Sequence, residues 1–242
     1  MSTILVISDS HINPDNASDS IDLWYRLGKY CVKTKPEIII HLGDVADLSS
    51  QAWRVASRGK YSLEEEVKTV DLVLSSFEEA IEEYNRKRRK KKKKQYRPSK
   101  YLTLGNHDVR NEVTVIDDLF TSYGWDVVEY LQPLHIMGIN FCHCMRKGLT
   151  DLMCTTAEEL LENWGADIVV GHGHHKDFAT SYSLAIHRPI TALKCPAFTV
   201  GDYDWAVQTQ YKWNRGFTEI EPGFFGALNF VWKDLSCLYE NL

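Results

Sequence analysis

The sequence contains no long apolar run and no segment typical of export. None of its hydrophobic stretches approaches the roughly 18 residues that a bilayer-spanning helix requires. From Met1 the chain passes directly into "STILVISD", without the basic region and cleavage site of a secretion signal. We therefore expect a soluble, cytoplasmic protein with no membrane partner.

Cysteines are also sparse and unclustered. The six cysteines are scattered through 242 residues, which fits reduced thiols of a cytoplasm better than a disulfide framework. The chain lacks an internal repeat and a linker that would separate two cores. Together with its 44% hydrophobic content, this predicts one domain over residues 1–242, with a helical and lysine-rich insert at about 48–99.

The charge is distributed very unevenly. Nine consecutive basic residues, "RKRRKKKKK", run from Arg86 to Lys94 and are called the basic run below. Without them, 19 basic residues face 33 acidic ones, a net charge of -14, compared with -5 for the whole chain. The basic run is either a solvated helix end or loop, or a contact for nucleic-acid phosphates. The second alternative would give an otherwise acidic protein a means of binding a polyanion.

Strand and helix patterns alternate along the chain. Two short β-branched runs at 3–8 and 37–42 flank a helix-length segment and predict a βαβ unit. Apolar residues spaced by three or four from Leu63 to Tyr84 predict a long helix, with Ser62 and Glu65 as its capping box. Shorter patterns predict strands at 100–104, near 126–130 and 134–143, at 166–170 and at 227–232, and helices at 113–123 and 156–164. The fold class is therefore α/β.

Carboxylate, amide and imidazole side chains follow several of these strands. They are Asp9, His11, Asp44, Asp47, Asn106, His107, His143, His172 and His174. Because open α/β sheets bind ligands at the carboxyl ends of their strands, we expect these groups to converge. Oxygen and imidazole donors without thiolates suit Mn, Fe, Zn or Mg, and the donors outnumber the needs of one ion. The pattern therefore predicts two divalent metal ions that share a carboxylate.

The ordered motifs resemble those of the calcineurin-like metallophosphoesterases. The blocks D-x-H, G-D-x-x-D, G-N-H-D, a lone H and G-H-x-H are matched at 9–11, 43–47, 105–108, 143 and 171–174. The resemblance covers roughly Ile4 to His175 apart from the insert. It implies a four-layer α/β/β/α sandwich with the dimetal site at the carboxyl ends of the strands.

The resemblance also implies a role for each motif residue. One metal would be held by Asp9, His11 and His174, the other by Asn106, His143 and His172, with Asp44 bridging them. A hydroxide between the ions would attack phosphorus in line with the leaving oxygen. His107, oriented by Asp47, would protonate that oxygen. Mn²⁺ is the first choice of metal, with Fe, Zn, Ni or Mg as alternatives.

The substrate class is predicted partly from one position at which this chain differs from the protein phosphatases of the family. Protein phosphatases of this family carry an arginine directly after G-D-x-x-D, where this chain has Leu48; Arg54, Arg58 and Arg110 are candidate replacements. A phosphodiester is therefore favoured over a phosphomonoester, and a DNA-acting nuclease would account for the basic run. The alternative is a cyclic-nucleotide or other small-molecule phosphodiesterase or phosphatase. A non-catalytic protein-binding scaffold ranks below both, because such family members have lost the histidine that stands here as His107.

Several neighbouring residues have other predicted roles. Strand alternation turns Cys142 and Cys144 away from the side that His143 occupies. Asp108 is expected to cap the following helix or to support the metal ligands from behind. His175 is expected to point away from the site. Aromatic residues of the C-terminal segment, Tyr203, Trp205 and Trp213, are expected to pack in the core, or alternatively to wall the substrate cleft.

Overall fold

The computed structural model describes residues 3–52, 60–110, 115–203, 206–222 and 228–240. Within them, no helix is both long and apolar enough to span a membrane. The elements in chain order are β1 (Ile4–Ile7), α1 (Ala17–Thr34), β2 (Ile38–His41), α2 (Leu63–Lys90), β3 (Ser99–Thr103), α3 (Val115–Ser122), β4 (Asp126–Val128), β5 (Leu134–Ile136), β6 (Ile139–Cys142), α4 (Ala157–Trp164), β7 (Ile168–Val170), β8 (Asp177–Ser183), β9 (Arg188–Lys194), β10 (Gly216–Pro222) and β11 (Leu228–Asp234).

The strands of the described residues form two sheets. The six-stranded sheet has the order β11-β10-β1-β2-β3-β4, and the five-stranded sheet has the order β5-β6-β7-β9-β8. β1, β2, β3 and β4 are parallel, as are β6, β7 and β9. The carboxyl ends of these parallel strands carry the motif loops.

Alternation along each strand divides the apolar residues among three core layers. In β1, Leu5 and Ile7 pack towards α1, α2 and α3, while Ile4 and Val6 pack against the second sheet. In the second sheet, Phe141 faces the first sheet, whereas Ile168 packs beneath α4. This period of two buries both faces of each sheet. The expected α/β/β/α sandwich is confirmed.

The long helix α2 forms part of the helical layer. Ser62 and Glu65 make the reciprocal hydrogen bonds of a capping box at its start. Phe77 on α2 is fully buried, and its ring lies edge-on to that of Trp24 on α1 at a centroid distance of 6.0 Å. The helical part of segment 48–99 is thus packed into the core with α1. The single-domain organisation stays a prediction.

Two parts of the chain differ from the sequence expectation. Segment 134–143 holds two antiparallel strands, because Met137 (φ 53°) and Gly138 (φ 81°) form a tight turn between β5 and β6. The strands β8, β9 and β10 were not expected: β8 and β10 mix polar and exposed residues and show no clear apolar period. β10 pairs antiparallel with β1 and so extends the first sheet beyond its parallel strands.

Candidate dinuclear metal centre

The motif loops turn sharply where they leave the strands. Five predicted ligands have left-handed backbone conformations, with φ values between 43° and 63°: Asp9, His11, Asp44, His172 and His174. Such conformations cost free energy in residues with a Cβ and persist where the surrounding structure enforces them, often at functional sites. The loops are thereby bent so that these side chains gather at one edge of the molecule.

The first cluster consists of Asp9, His11 and His174. The Nε2 atoms of His11 and His174 lie 3.0 Å apart, and His174 Nε2 lies 3.3 Å from Asp9 Oδ1. The candidate ligand atoms of all three residues lie within 4.8 Å of one another. Burial, together with the nearby His107, lowers the pKa of His11 to about 3. The His11 imidazole is therefore neutral and carries a lone pair that can bind a metal.

The second cluster consists of Asn106, His143 and His172. His143 Nε2 lies 3.0 Å from Asn106 Oδ1 and 3.2 Å from His172 Nδ1. The other ring nitrogen, His143 Nδ1, donates to the carbonyl of Leu42 at 2.7 Å and so directs Nε2 into the cluster. Burial opposes protonation, but the Asp44 carboxylate raises the pKa of His143 to about 9. A divalent cation bound here would take the place of that proton.

Asp44 lies between the two clusters. Its Oδ2 is 3.3 Å from His143 Nε2. The Asp44 carboxylate belongs to two candidate metal groups, one with His143 and His172 and one with His11 and His107. The other oxygen, Oδ1, accepts the backbone N–H of His107 at 2.8 Å. The gathered donors are carboxylate oxygens, one amide oxygen and imidazole nitrogens whose ring atoms face one another. This donor set fits a pair of divalent ions of hard to borderline character.

His107 lies beside both clusters and is held through its Nδ1 atom. Nδ1 donates to the backbone carbonyl of Asp47 at 2.9 Å and lies 3.3 Å from the Asp47 carboxylate. Burial disfavours the imidazolium, but the carboxylates of Asp44 and Asp47 raise the pKa of His107 above its ordinary value. The Nε2 atom lies 2.9 Å from Nη2 of Arg110. The carbonyl and the carboxylate of Asp47 therefore both lie next to Nδ1 of the His107 ring.

Asp108 connects two motif loops and does not cap a described helix. It accepts the backbone N–H groups of Gly105 at 2.8 Å and of Val45 at 3.0 Å. Burial and the nearby Asp44 raise the pKa of Asp108 to about 6. Gly105 lies so close to Asp44 that a Cβ there would overlap the Asp44 backbone nitrogen and carboxylate. Asp108 therefore supports the ligands from behind.

Aromatic residues from the C-terminal segment adjoin the first cluster. The ring centroid of Trp213 lies 4.1 Å from that of His174. The hydroxyl of Tyr203, which is buried, donates to the carbonyl of His11 at 3.0 Å. Trp213 therefore lies at the cleft and Tyr203 packs beneath a ligand loop. Trp205 lies outside the described residues.

Three residues beside the motifs lie outside the candidate metal groups, and one further residue contacts a motif loop. Among the described residues, neither Cys142, Cys144 nor His175 falls in a candidate metal group. The amine of Lys194, which the sequence patterns did not single out, contacts the carbonyl of Thr155 and lies 3.3 Å from His175 Nε2. It supports the G-H-x-H loop, and a lone lysine at a strand end carries no signal that could have revealed it.

Paired histidine and carboxylate clusters at the carboxyl ends of parallel strands define a metal-dependent hydrolase. The family model described as "Calcineurin-like phosphoesterase" matches residues 2–200, and the chain belongs to that family. It is accordingly a metal-dependent phosphoesterase, of a family that depends on two metal ions. A crystal structure of nuclease MPE from Pseudomonas putida is similar at 17% identity and a TM-score of 0.40, over 83% of this chain and 76% of that chain. No curated protein sequence matches this chain.

Proposed function

We propose that this phosphoesterase hydrolyses phosphodiesters and uses two divalent ions, with Mn²⁺ as the first choice of metal. Asp9, His11 and His174 would hold one ion and Asn106, His143 and His172 the other, with Asp44 between them. The position of Asp44, whose carboxylate joins both clusters, carries the proposal. Ions held by these residues would supply activation of water and neutralisation of charge on the phosphoryl group.

His107 is the proposed proton donor to the leaving oxygen. Its Nδ1 is held by Asp47, so Nε2 is the ring atom that can exchange a proton with substrate. An imidazole is suited to this transfer near neutral pH. Asp47 keeps the ring in the orientation that presents Nε2.

Hydrolysis of bis-p-nitrophenyl phosphate and of p-nitrophenyl phosphate, each with a series of divalent metals, tests both the reaction and the preference for diesters. We expect metal-dependent turnover with a higher kcat/KM for the diester. His107→Ala should lower kcat by about 10²–10⁴-fold, the range typical of general acid catalysis, while bound-metal content stays unchanged. Absence of turnover with every metal, or full activity of His107→Ala, would contradict the proposal.

Leu48 distinguishes this site from that of the protein phosphatases in the family. Its side chain is fully buried in the core, so this position presents no cation to a substrate. Two alternatives for that cation, Arg54 and Arg58, lie outside the described residues. A cyclic-nucleotide or other small-molecule phosphodiesterase stays the alternative to a DNA-acting nuclease.

The basic run supports a nucleic acid as the substrate, provided that the nucleic acid is long. It begins inside α2 and ends in a turn where Asn85 Nδ2 donates to the Tyr96 carbonyl at 2.8 Å. The Tyr96 hydroxyl donates to the carbonyl of Pro36 at 2.9 Å, just before β2 begins. The basic run therefore lies at the amino-terminal edge of the parallel strands, opposite the metal clusters.

The length of α2 gives the separation between the basic run and the metal clusters. At the other end of α2, Glu66 accepts the backbone N–H of Ser49, two residues after Asp47, at 2.7 Å. From Glu66 to Arg88 the helix rises by roughly 33 Å at about 1.5 Å per residue. This is close to one turn of B-DNA, about 34 Å or 10 base pairs. Only a substrate of at least that span could contact both ends.

Replacing Lys90 to Lys94 with glutamine tests this role. We expect weaker binding of a 20-base-pair duplex, with a log K against log salt slope reduced by roughly one for each phosphate that the substituted side chains no longer neutralise. Hydrolysis of bis-p-nitrophenyl phosphate, which cannot reach the basic run, serves as the control and should not change. Unchanged duplex affinity and salt slope would leave the basic run a solvated helix end.

A further inference from the structure

We propose that Arg110 is the cation that binds the phosphoryl oxygens of the substrate, in place of the arginine that Leu48 replaces. This inference rests on the proposed function. Arg110 Nη1 donates to the backbone carbonyls of Asp47 at 2.8 Å and of Leu48 at 3.3 Å. The guanidinium is therefore fixed against Leu48, the position at which the family's protein phosphatases carry an arginine. Leu48 and Arg110 are 62 positions apart in the sequence.

The fixed guanidinium keeps donors available for a ligand. A guanidinium carries five N–H groups in a rigid planar fork. Arg110 uses them in three hydrogen bonds: two to the carbonyls and one from Nη2 to His107 Nε2 at 2.9 Å. Among the described residues, its Nε–H has no hydrogen-bond partner, and Arg110 is partly exposed. A planar, anchored cation of this kind matches the oxygens of a phosphate group.

The contact with His107 links phosphate binding to release of the proton donor. Because arginine can only donate, Nε2 of His107 accepts from Arg110 while Nδ1 donates to the Asp47 carbonyl. In this state Arg110 covers the ring nitrogen that the proposed catalysis needs. When a phosphoryl oxygen accepts the Nη2–H of Arg110 instead, Nε2 of His107 is released from Arg110 and can face the leaving oxygen. The same change of hydrogen-bond acceptor, from His107 Nε2 to a phosphoryl oxygen, thus binds the substrate and exposes the proton donor.

Phosphate affinity measured without turnover tests the contact directly. We expect Arg110→Gln, loaded with Mn²⁺, to bind inorganic phosphate about 10- to 100-fold more weakly by calorimetry, as loss of a hydrogen bond between charged groups predicts. The KM for bis-p-nitrophenyl phosphate should rise by a similar factor, with a smaller change in kcat. Arg26→Gln changes a partly exposed arginine that is paired with Asp22 on α1; it is the matched control and should behave like the wild type.

The results separate this inference from the proposed function. Unchanged phosphate affinity and KM in Arg110→Gln, with hydrolysis otherwise intact, would overturn the role of Arg110 and leave the function standing. Phosphate binding that depends on Arg110 in a protein that hydrolyses no ester would overturn the function and leave the role of Arg110.

A double-mutant cycle tests the exchange at His107. Phosphate must displace His107 from Arg110 in the wild type but has no such competitor in His107→Ala. Arg110→Gln should therefore weaken phosphate binding more in the His107→Ala background than in the wild-type background. An equal or smaller effect would show that the two side chains do not exchange partners, and would overturn this part of the inference.

Discussion

Gly105 packs so closely against Asp44 that the position of this proposed metal ligand depends on the absence of a Cβ at residue 105. Asp44 Oδ1 accepts the N–H of His107, and the Asp44 backbone nitrogen lies directly against Gly105. Four residues from two motifs are thereby held together, with Asp108 accepting the Gly105 N–H from the far side. Small displacements here would change both metal clusters at once.

We expect Gly105→Ala to lower the free energy of unfolding by about 1–3 kcal/mol, since the added methyl group must displace backbone. Metal-dependent activity should fall by at least about tenfold, because Asp44 moves with the loop. Thermal denaturation and metal content by elemental analysis measure the two effects. Gly124→Asn is the control: Gly124 (φ 73°) has nothing within 4 Å, and asparagine tolerates this conformation. Normal activity of Gly105→Ala would show that the loop accommodates the added methyl group without displacing Asp44.

At the scale of elements, α2 connects the loop that follows Asp47 to the helical core. The buried Glu66 accepts four hydrogen bonds, from the backbone N–H and the hydroxyl of both Ser49 and Ser50. On the same helix, Phe77 packs against Trp24 and Trp125. The helix therefore has one end that shapes the site and a middle that stabilises the fold.

Removing the carboxylate of Glu66 should affect the loop that follows Asp47. We expect Glu66→Ala to cost about 1–3 kcal/mol, because buried N–H and hydroxyl donors lose a charged acceptor. The kcat for a diester should fall as well, since the same loop positions Asp47. Glu64→Ala, at an exposed position of the same helical turn, is the control and should change stability by less than about 0.5 kcal/mol. Equal effects of the two variants in urea denaturation would count against a role for the buried carboxylate.

The middle of α2 should be sensitive to cavities. We expect Phe77→Ala to destabilise the protein by about 3–5 kcal/mol, the usual cost of emptying a buried aromatic site. Leu72→Ala removes a side chain that is 50% exposed and should change stability by less than about 0.5 kcal/mol. Urea denaturation of both variants measures the contrast. A cost for Phe77→Ala similar to that of Leu72→Ala would mean that α2 is not a core helix.

At the scale of the whole molecule, the metal clusters join loops from both sheets. The first cluster combines residues after β1 with His174 after β7, and the second combines Asn106 after β3 with His143 after β6. Ions bound there would therefore connect the two halves of the sandwich. Stability should respond to metal concentration, because only the folded chain assembles these ligands.

Thermal denaturation with and without Mn²⁺ measures this coupling. At a free metal concentration 100 times the Kd, binding contributes about 2.7 kcal/mol. For a domain of this size we expect the Tm to rise by about 5–11 °C, and to return when a chelator is added. Asp44→Asn, which weakens the shared ligand, should lose most of the increase. A wild-type Tm independent of every divalent metal would argue against a folded-state metal centre.

Much of the candidate site could be predicted from sequence because each motif is local. A buried strand followed by a carboxylate and an imidazole specifies the chemistry within a few positions, as in Asp9 with His11. The direction of these two side chains depends on left-handed backbone, which the sequence pattern did not predict. The same local reasoning predicted β1, β2 and α2. It failed for β8 and β10, where polar and apolar residues do not alternate clearly and pairing with β9 and β1 decides the conformation.

The sequence by itself determined which groups could bind metal, their order along the chain and the α/β class. Only the tertiary structure decided which of these residues lie close together in space and which lie far apart. It placed the basic run at the opposite edge from the metal clusters, although few residues separate it from Asn106, because β3 crosses the whole sheet between them. It also brought Arg110 to the carbonyl of Leu48. Both outcomes depend on how separate loops and layers pack, and no local pattern of residues encodes that packing.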